Sequence, residues 1–442
     1  MKTDVLIVGS GCSALYMALH LPEDLNILMV TKKEAELSDS FLAQGGICML
    51  RNEDDYDSYF EDTMKAGHYE NDAYSVELMI KSSPDVIQDL ISYGVDFERN
   101  EDGSLAFTRE GAHSHKRILY HEDITGKEIT RHLLEKVRQK KNVTLLENTP
   151  LVDLIVRGNV ALGGVIKRNN QEEKVYAKKV VLAPGRDGSA WLTKVLSNQG
   201  LKLYNNQVDI GVRVETSNIV MEEINKNLYE GKFVYNTSVG TKVRTFCSNP
   251  SGHVVIENHS GTMLANGHAY HDPKLGSKNT NFALLVSHTF SEPFNEPNEF
   301  AHEISRLANK LSNGSVIVQR YGDIKRGRRT TYKRLKEGYT DPTLPEAVPG
   351  DLGLVLPYNT MKSIIEMIEA LDNVTPGIAN EHTLLYGVEA KFYSARPKVR
   401  DGFESEIDDL YVAGDGAGLT RGLAQAGANG ILVARHIVEN IK

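Results

Sequence analysis

The chain has 442 residues, enough for two or three packed units or one long α/β domain with an insertion. Its 40% hydrophobic and 25% charged residues are those of an ordinary soluble globular protein. A formal net charge of -9 argues against nucleic acid or an anionic membrane as the main partner, while leaving room for a local basic pocket.

The chain opens on "TDVLIVGSGCSALYMALHL". The β-branched run Val5, Leu6, Ile7, Val8 reads as a strand buried on both faces. Its start at the N-terminus is too short for a membrane span and lacks a basic leader, so no targeting segment is expected. Gly9 and Gly11 allow a tight turn, and Leu15, Ala18 and Leu19 continue at helical spacing. The pattern is G-x-G-x-x-A, with Ser10 and Ser13 between the small residues and Ala14 where the helix must pack closely on the strand. A helix N-terminus there offers free N–H groups and positive dipole to a pyrophosphate, so a dinucleotide site is expected. The second strand, "NILMVTKK", ends on Thr31, Lys32 and Lys33, where an acidic residue would hold an adenosine ribose. That weakens an NAD reading and fits FAD, with lysine and backbone groups toward the adenosine. Cys12, Cys48 and Cys247 are odd in number and widely spaced, with no C-x-x-C pair. This speaks against a disulfide framework or a zinc site and for a reducing, cytoplasmic setting.

"SDSFLAQGGI" follows, with Ser38, Ser40, Ala43 and the turn Gln44-Gly45-Gly46, whose backbone can approach a flat ligand. Here the sequence resembles the L-aspartate oxidase and succinate dehydrogenase/fumarate reductase flavoproteins. The resemblance implies that these residues lie along an isoalloxazine ring. Members with covalent FAD carry a histidine five residues before this glutamine. Asp39 stands there, which implies non-covalent FAD. Residues 56–95 predict two amphipathic helices, broken near Gly67 and Gly94.

"TREGAHSHKRILYHEDITGKEI", from Thr108, matches the T-R-E-G-G-H-S-H segment of aspartate oxidases. The likeness extends to about residue 182 and includes "NTPLVDLIV", where Val152 is expected beside the adenine. It implies that Glu110 faces a substrate ammonium, which a carboxylate both holds and selects. His113, His115, Arg109, Lys116 and Arg117 would then give a positive border for an anionic ligand. From the residues alone, Glu110 as a surface carboxylate and Lys116 with Arg117 as a solvated edge stay open. Two histidines two apart with no ligand-spaced carboxylate make a poor metal site, and no metal is expected.

"KKVVLAPGRDGSAWL" places a strand up to Ala183 and a turn at Gly185 that would close the first sheet over the FAD. From about residue 183 the sequence resembles a second, broad family of poorly characterised FAD-dependent dehydrogenases. "VDIGVRVE", "VRTFCSNPSGHVV", "LLYGVEAKFYSARP" and "LYVAGDGAGLTRGLAQAGANGILVAR" carry that resemblance. It implies a strand Leu410 to Ala413, with Asp415 on the ribityl hydroxyls. A last helix beginning at Gly427 to Ile431 would bring Gly430 and Ile431 to the flavin. Arg421 beside that loop, Arg396 in "FYSARP" and Arg329 in "KRGRRTTYKR" are candidates for substrate carboxylates. Arg326, Arg328 and Arg329 are so by charge only; a solvated or structural role fits them as well.

The expected fold is α/β, a Rossmann-like two-dinucleotide-binding-domain flavoprotein with an inserted α+β cap. Residues 1–206 and 346–442 would form the FAD domain and residues 207–345 the cap. The expected function is oxidation of L-aspartate to iminoaspartate by hydride transfer to FAD, in NAD biosynthesis. Glu110, His113, Arg421, Arg396 and Arg329 are the catalytic candidates. A small amino or dicarboxylic acid is the substrate, oxygen or fumarate the acceptor, with no nucleic acid and no membrane. The alternatives are a dehydrogenase or reductase of a different substrate, and a flavin-binding protein without turnover.

Overall fold

In the computed structural model the described residues are 1–442 except Gln44, His68, Glu70, Asp72, 110–112, Asp123, Asn205, Asn206, 228–230, Ser260, His271, Glu292, Asn295, Ala395, Leu419, Arg421 and Lys442, and the side chain of Asp187. They fall into two compact units, Met1–Asn205 with Ser394–Lys442, and Asn206–Tyr393.

The first unit is built on a seven-stranded sheet. Lys2–Val8 lies at its centre, parallel to Ile27–Val30 on one side and to Gln171–Leu182 on the other. Val143–Leu146 extends the parallel part, and Leu410–Val412 pairs with the end of Gln171–Leu182. Leu151–Arg157 and Val160–Arg168 complete the sheet as antiparallel neighbours. The first strand alternates between two cores. Val5 and Ile7 join the one that holds the helices Cys12–His20, Thr125–Gln139 and Leu423–Asn440, whereas Leu6 and Val8 join the other. A continuous apolar run is what a strand covered on both faces requires. The predicted amphipathic helices are Tyr56–Ala66 and Ala73–Ser92.

The second unit carries another seven-stranded sheet, with Val208–Ser217 between Asn279–His288 and Leu384–Lys391. Helices Pro297–Leu311 and Tyr358–Asp372 contribute to its core. The expected cap boundary at 345 moves to 393. The cause is long-range pairing: Leu384–Lys391 is a central strand of this sheet, so the chain from 346 to 393 belongs to the cap.

Candidate FAD-binding site

The first helix begins where the glycines demand. Gly9 has φ +126°, and a Cβ there would lie 2.1 Å from the Ala183 carbonyl oxygen. Only glycine lets this turn press against the strand end at Ala183. Gly11 differs. Its φ of -74° suits any residue, and an added Cβ would meet only Ser40 Oγ, at 3.4 Å. Protein packing does not require glycine there, so its open side is where a ligand can approach the helix end. Leu15 N–H makes the first intrahelical bond, to Gly11 C=O, and Cys12 N–H donates to Ser40 Oγ at 3.0 Å. The N–H groups of Ser13 and Ala14 precede that first bond, and the first turn has no acidic residue. Such an end favours an anion.

The surrounding turns meet this helix end. Ser10 Oγ donates to Ala35 C=O at 3.1 Å and lies 3.3 Å from Thr31 Oγ1, both hydroxyls being buried. These two residues therefore act within the protein, while Lys32 and Lys33 are exposed. Glu147 Oε1 accepts the Ala35 N–H at 2.7 Å, bringing a carboxylate to the turn after the second strand from a distant part of the chain. Ser38 Oγ caps the Phe41 N–H at 3.3 Å. Ala43 C=O accepts the Gly126 N–H at the start of helix Thr125–Gln139. Asp39, at the position of the covalent histidine, braces the neighbouring turn. Its Oδ2 accepts the Arg186 N–H at 2.6 Å and would lie 2.4 Å from a Cβ on Gly185.

Asp415 accepts from Thr420 Oγ1 at 2.7 Å, and its Oδ2 lies 3.6 Å from Arg186 Nε. Burial, aided by the Asp415 charge, pushes the Cys12 thiol up to about 12. Gly45 is exposed, whereas Gly46 packs against Ile118 and Leu119, and Val152 is half-buried on its strand. Gln44 lies outside the described residues.

One expectation is corrected. The last helix starts at Leu423, with Gly422 as its N-cap, not at 427–431. Gly430 and Ile431 sit in its interior. A Cβ on Gly430 would come 2.5 Å from Ser13 C=O, and Ile431 belongs to the core. These glycines serve close helix–helix packing. The open helix end is at Gly422, where an added Cβ would meet nothing within 4 Å.

The candidate substrate segment is anchored at Arg117, while Arg109, Ser114, His115 and Lys116 are exposed. Thr108 and Ile118 exchange backbone hydrogen bonds of 2.9 and 3.1 Å, closing a loop. Arg117 is fully buried, not part of a positive border. Its Nε and Nη2 donate to Asp55 at 3.1 and 2.6 Å, Nη1 to Asp62 at 2.5 Å, and Nη2 to Ser58 at 2.8 Å. Burial pushes both carboxyls up. Hydrogen bonds outweigh it and hold both below the usual range, from Arg117 to Asp55 and from Ser114 and Arg117 to Asp62. Arg117 Nη1 also lies 3.1 Å from His113 Nδ1. A guanidinium only donates, so Nδ1 accepts and Nε2, 3.4 Å from Cys48 Sγ, carries the proton.

Glu110 and Arg421 lie outside the described residues. Arg396 is exposed in the first unit and Arg329 is exposed in the second, its carbonyl accepting from Arg334. Arg326 and Arg328 are paired with Glu381 and Asp323. Among the described residues no group of three or more His, Cys, Asp or Glu is arranged to hold a metal ion. Among them, too, no helix is long and apolar enough to cross a membrane.

A glycine cradle with an open face, an uncapped helix end and an acidic turn beside it fit a dinucleotide such as FAD. Comparison agrees. Residues 4–207 match the FAD binding domain family and residues 207–392 the family described as FAD-dependent protein, C-terminal domain-like. An L-aspartate oxidase of Clostridium perfringens is 45% identical over 210 residues, 48% of this chain and 47% of that protein. One from Clostridium acetobutylicum is 40% identical over 199 residues, 45% of each. The chain thus spans about half the length of these relatives. A chain of E. coli quinol fumarate reductase superposes with a TM-score of 0.56 at 16% identity, over 99% of this chain and 70% of that one, which shows a shared fold. Residues 4–207 thus match an FAD-binding domain and are similar to L-aspartate oxidases, and residues 207–392 match a different FAD-dependent family.

Proposed function

We propose that the protein is an FAD-dependent oxidoreductase that converts L-aspartate to iminoaspartate. One observation carries this reading most. The strand after Gly45-Gly46 pairs antiparallel with the end of the "TREGAHSHKRIL" segment, Ile47 with Leu119 and Cys48 with Ile118. The segment is therefore fixed beside the Gly45-Gly46 turn, which the resemblance assigns to a flavin ring.

Bound FAD, held non-covalently, supplies the two-electron acceptor. The chain's residues then bind, orient and select. Glu110 holds the substrate ammonium, and Arg421, Arg396 and Arg329 are the candidates for its carboxylates. His113, tied to Arg117, orients the segment. Ser13 and Ala14 N–H groups would hold the pyrophosphate, Asp415 the ribityl hydroxyls, and the helix end at Gly422 would favour an anionic group beside it. Oxygen or fumarate is the acceptor, and the setting is cytoplasmic, in NAD biosynthesis.

The cap favours a second reading. Residues 207–392 match a family other than the oxidases, so a different amino or dicarboxylic acid is the competing substrate. The test is turnover of holoprotein in air with L-aspartate, succinate and a panel of such acids, following hydrogen peroxide. L-aspartate-dependent peroxide is expected, and Glu110→Gln should lose aspartate use more than succinate use. Peroxide from another acid alone would favour the second reading.

A further inference from the structure

The second strand ends without the carboxylate that an adenosine ribose calls for. Thr31 stands in that place, buried and 3.3 Å from Ser10 Oγ. The neighbouring parallel strand supplies one. Val30 pairs with Leu146, so Glu147 is the residue beside Thr31 across the ladder. Parallel neighbours lie about 4.8 Å apart, so its side chain starts one strand away from the usual position. Both strands finish here at their carboxyl ends, the edge on which open α/β sheets bind ligands. The two ends are laced together. Thr31 N–H donates to Leu146 C=O at 3.0 Å, Thr149 N–H to Thr31 C=O at 2.7 Å and Asn148 N–H to Lys33 C=O at 3.2 Å. Asn148 has φ +52°, a left-handed conformation that asparagine tolerates and that turns the chain back.

The carboxylate reaches over the segment that follows the second strand. Glu147 Oε1 accepts the Ala35 N–H at 2.7 Å, and Ala35 C=O accepts from Ser10 Oγ at 3.1 Å. Two hydrogen bonds thus connect it to the glycine turn. Arg138 Nη2 lies 3.4 Å from the same Oε1. Oε2 bonds to no described residue, and the side chain is 35% exposed. A carboxylate only accepts, and the ribose carries two adjacent hydroxyl donors. We propose that Glu147 is a cofactor-binding residue whose Oε2 accepts from the adenosine ribose hydroxyls of FAD, while Oε1 fixes the carboxylate to Ala35. This goes beyond the glycine motif and the acidic turn, and it rests on the FAD reading.

The test is competition against FAD on flavin-stripped apoprotein, read by flavin fluorescence. The competitors are ADP, the adenosine and pyrophosphate half of the cofactor, and 2′,3′-dideoxy-ADP, which lacks both hydroxyls. The ratio of their Kd values isolates the ribose contact, because a general loosening of the fold weakens both alike. Wild type should favour ADP about 10- to 100-fold, the range for a hydrogen bond to a charged group. Glu147→Ala should bring the ratio within threefold of one. A wild-type ratio below threefold, or a Glu147→Ala ratio that stays above it, overturns the proposal. If Glu147→Ala does not fold, Glu147→Gln decides. Its amide keeps an acceptor for Ala35 but loses the charge, so the ratio should fall at least threefold; a smaller fall overturns the proposal. A wild-type apoprotein that binds neither FAD nor ADP would instead overturn the FAD reading itself.

Discussion

Replacing Arg117 by methionine should open the loop that carries the candidate substrate residues. The guanidinium is fully buried, and its carboxylate partners Asp55 and Asp62 are 7% and 15% exposed. Removing the cation strands both, and breaking a buried pair costs about 3–5 kcal/mol. Asp62 keeps the Ser114 N–H and hydroxyl, at 2.7 and 2.8 Å, and Asp55 keeps Ser58, which places the loss toward the lower end. At about 1.4 kcal/mol per tenfold, the opening equilibrium rises at least a hundredfold. Hydrogen exchange reads this at three amides, Thr108, Ile118 and Met49, which bond to Ile118, Thr108 and Arg117 carbonyls. Their exchange should accelerate together, with amides of Lys2–Val8 unaffected. An acceleration below tenfold would refute the anchoring role of Arg117.

Further outcomes follow from the same contacts. Gly11→Ala should leave apoprotein stability within about 1 kcal/mol, since its Cβ would meet only Ser40 Oγ at an ordinary contact distance, yet weaken FAD clearly. Gly9→Ala should destabilise the apoprotein by roughly 1–3 kcal/mol or more, from φ strain plus the Ala183 clash, read by denaturant unfolding. Asp55 and Asp62 have depressed folded pKa values, so their contribution is present above the ordinary carboxylate value of about 3.9. It is lost as the pH falls through the folded values, and loop protection should therefore be flat from pH 5 to 8 and fall below about pH 4. Acid precipitation should leave the yellow chromophore in the supernatant; a yellow pellet would contradict non-covalent FAD.

The FAD-binding unit is written locally in the sequence. The run Val5 to Val8, the glycines after it and the helical spacing that follows lie within twenty residues, and each takes the form expected. What escapes depends on distant partners. "HSHKR" reads as a charged edge because Asp55 and Asp62 are far away in the chain, although Asp55, Ser58 and Asp62 share one face of a helix at i, i+3 and i+7. The cap boundary escapes for a similar reason: strand Leu384–Lys391 pairs with Val208–Ser217, across more than a hundred residues. In "AQAGANGILV" the glycines suggest a turn, but both lie inside a helix, where Gly427 faces Val86 and Gly430 packs against Ser13.

The most direct measurement is anaerobic mixing of the purified yellow protein with L-aspartate while flavin absorbance is followed. L-aspartate should bleach the oxidised band and fumarate should restore it. A flavin that stays oxidised with L-aspartate and responds to a different acid would contradict the aspartate assignment.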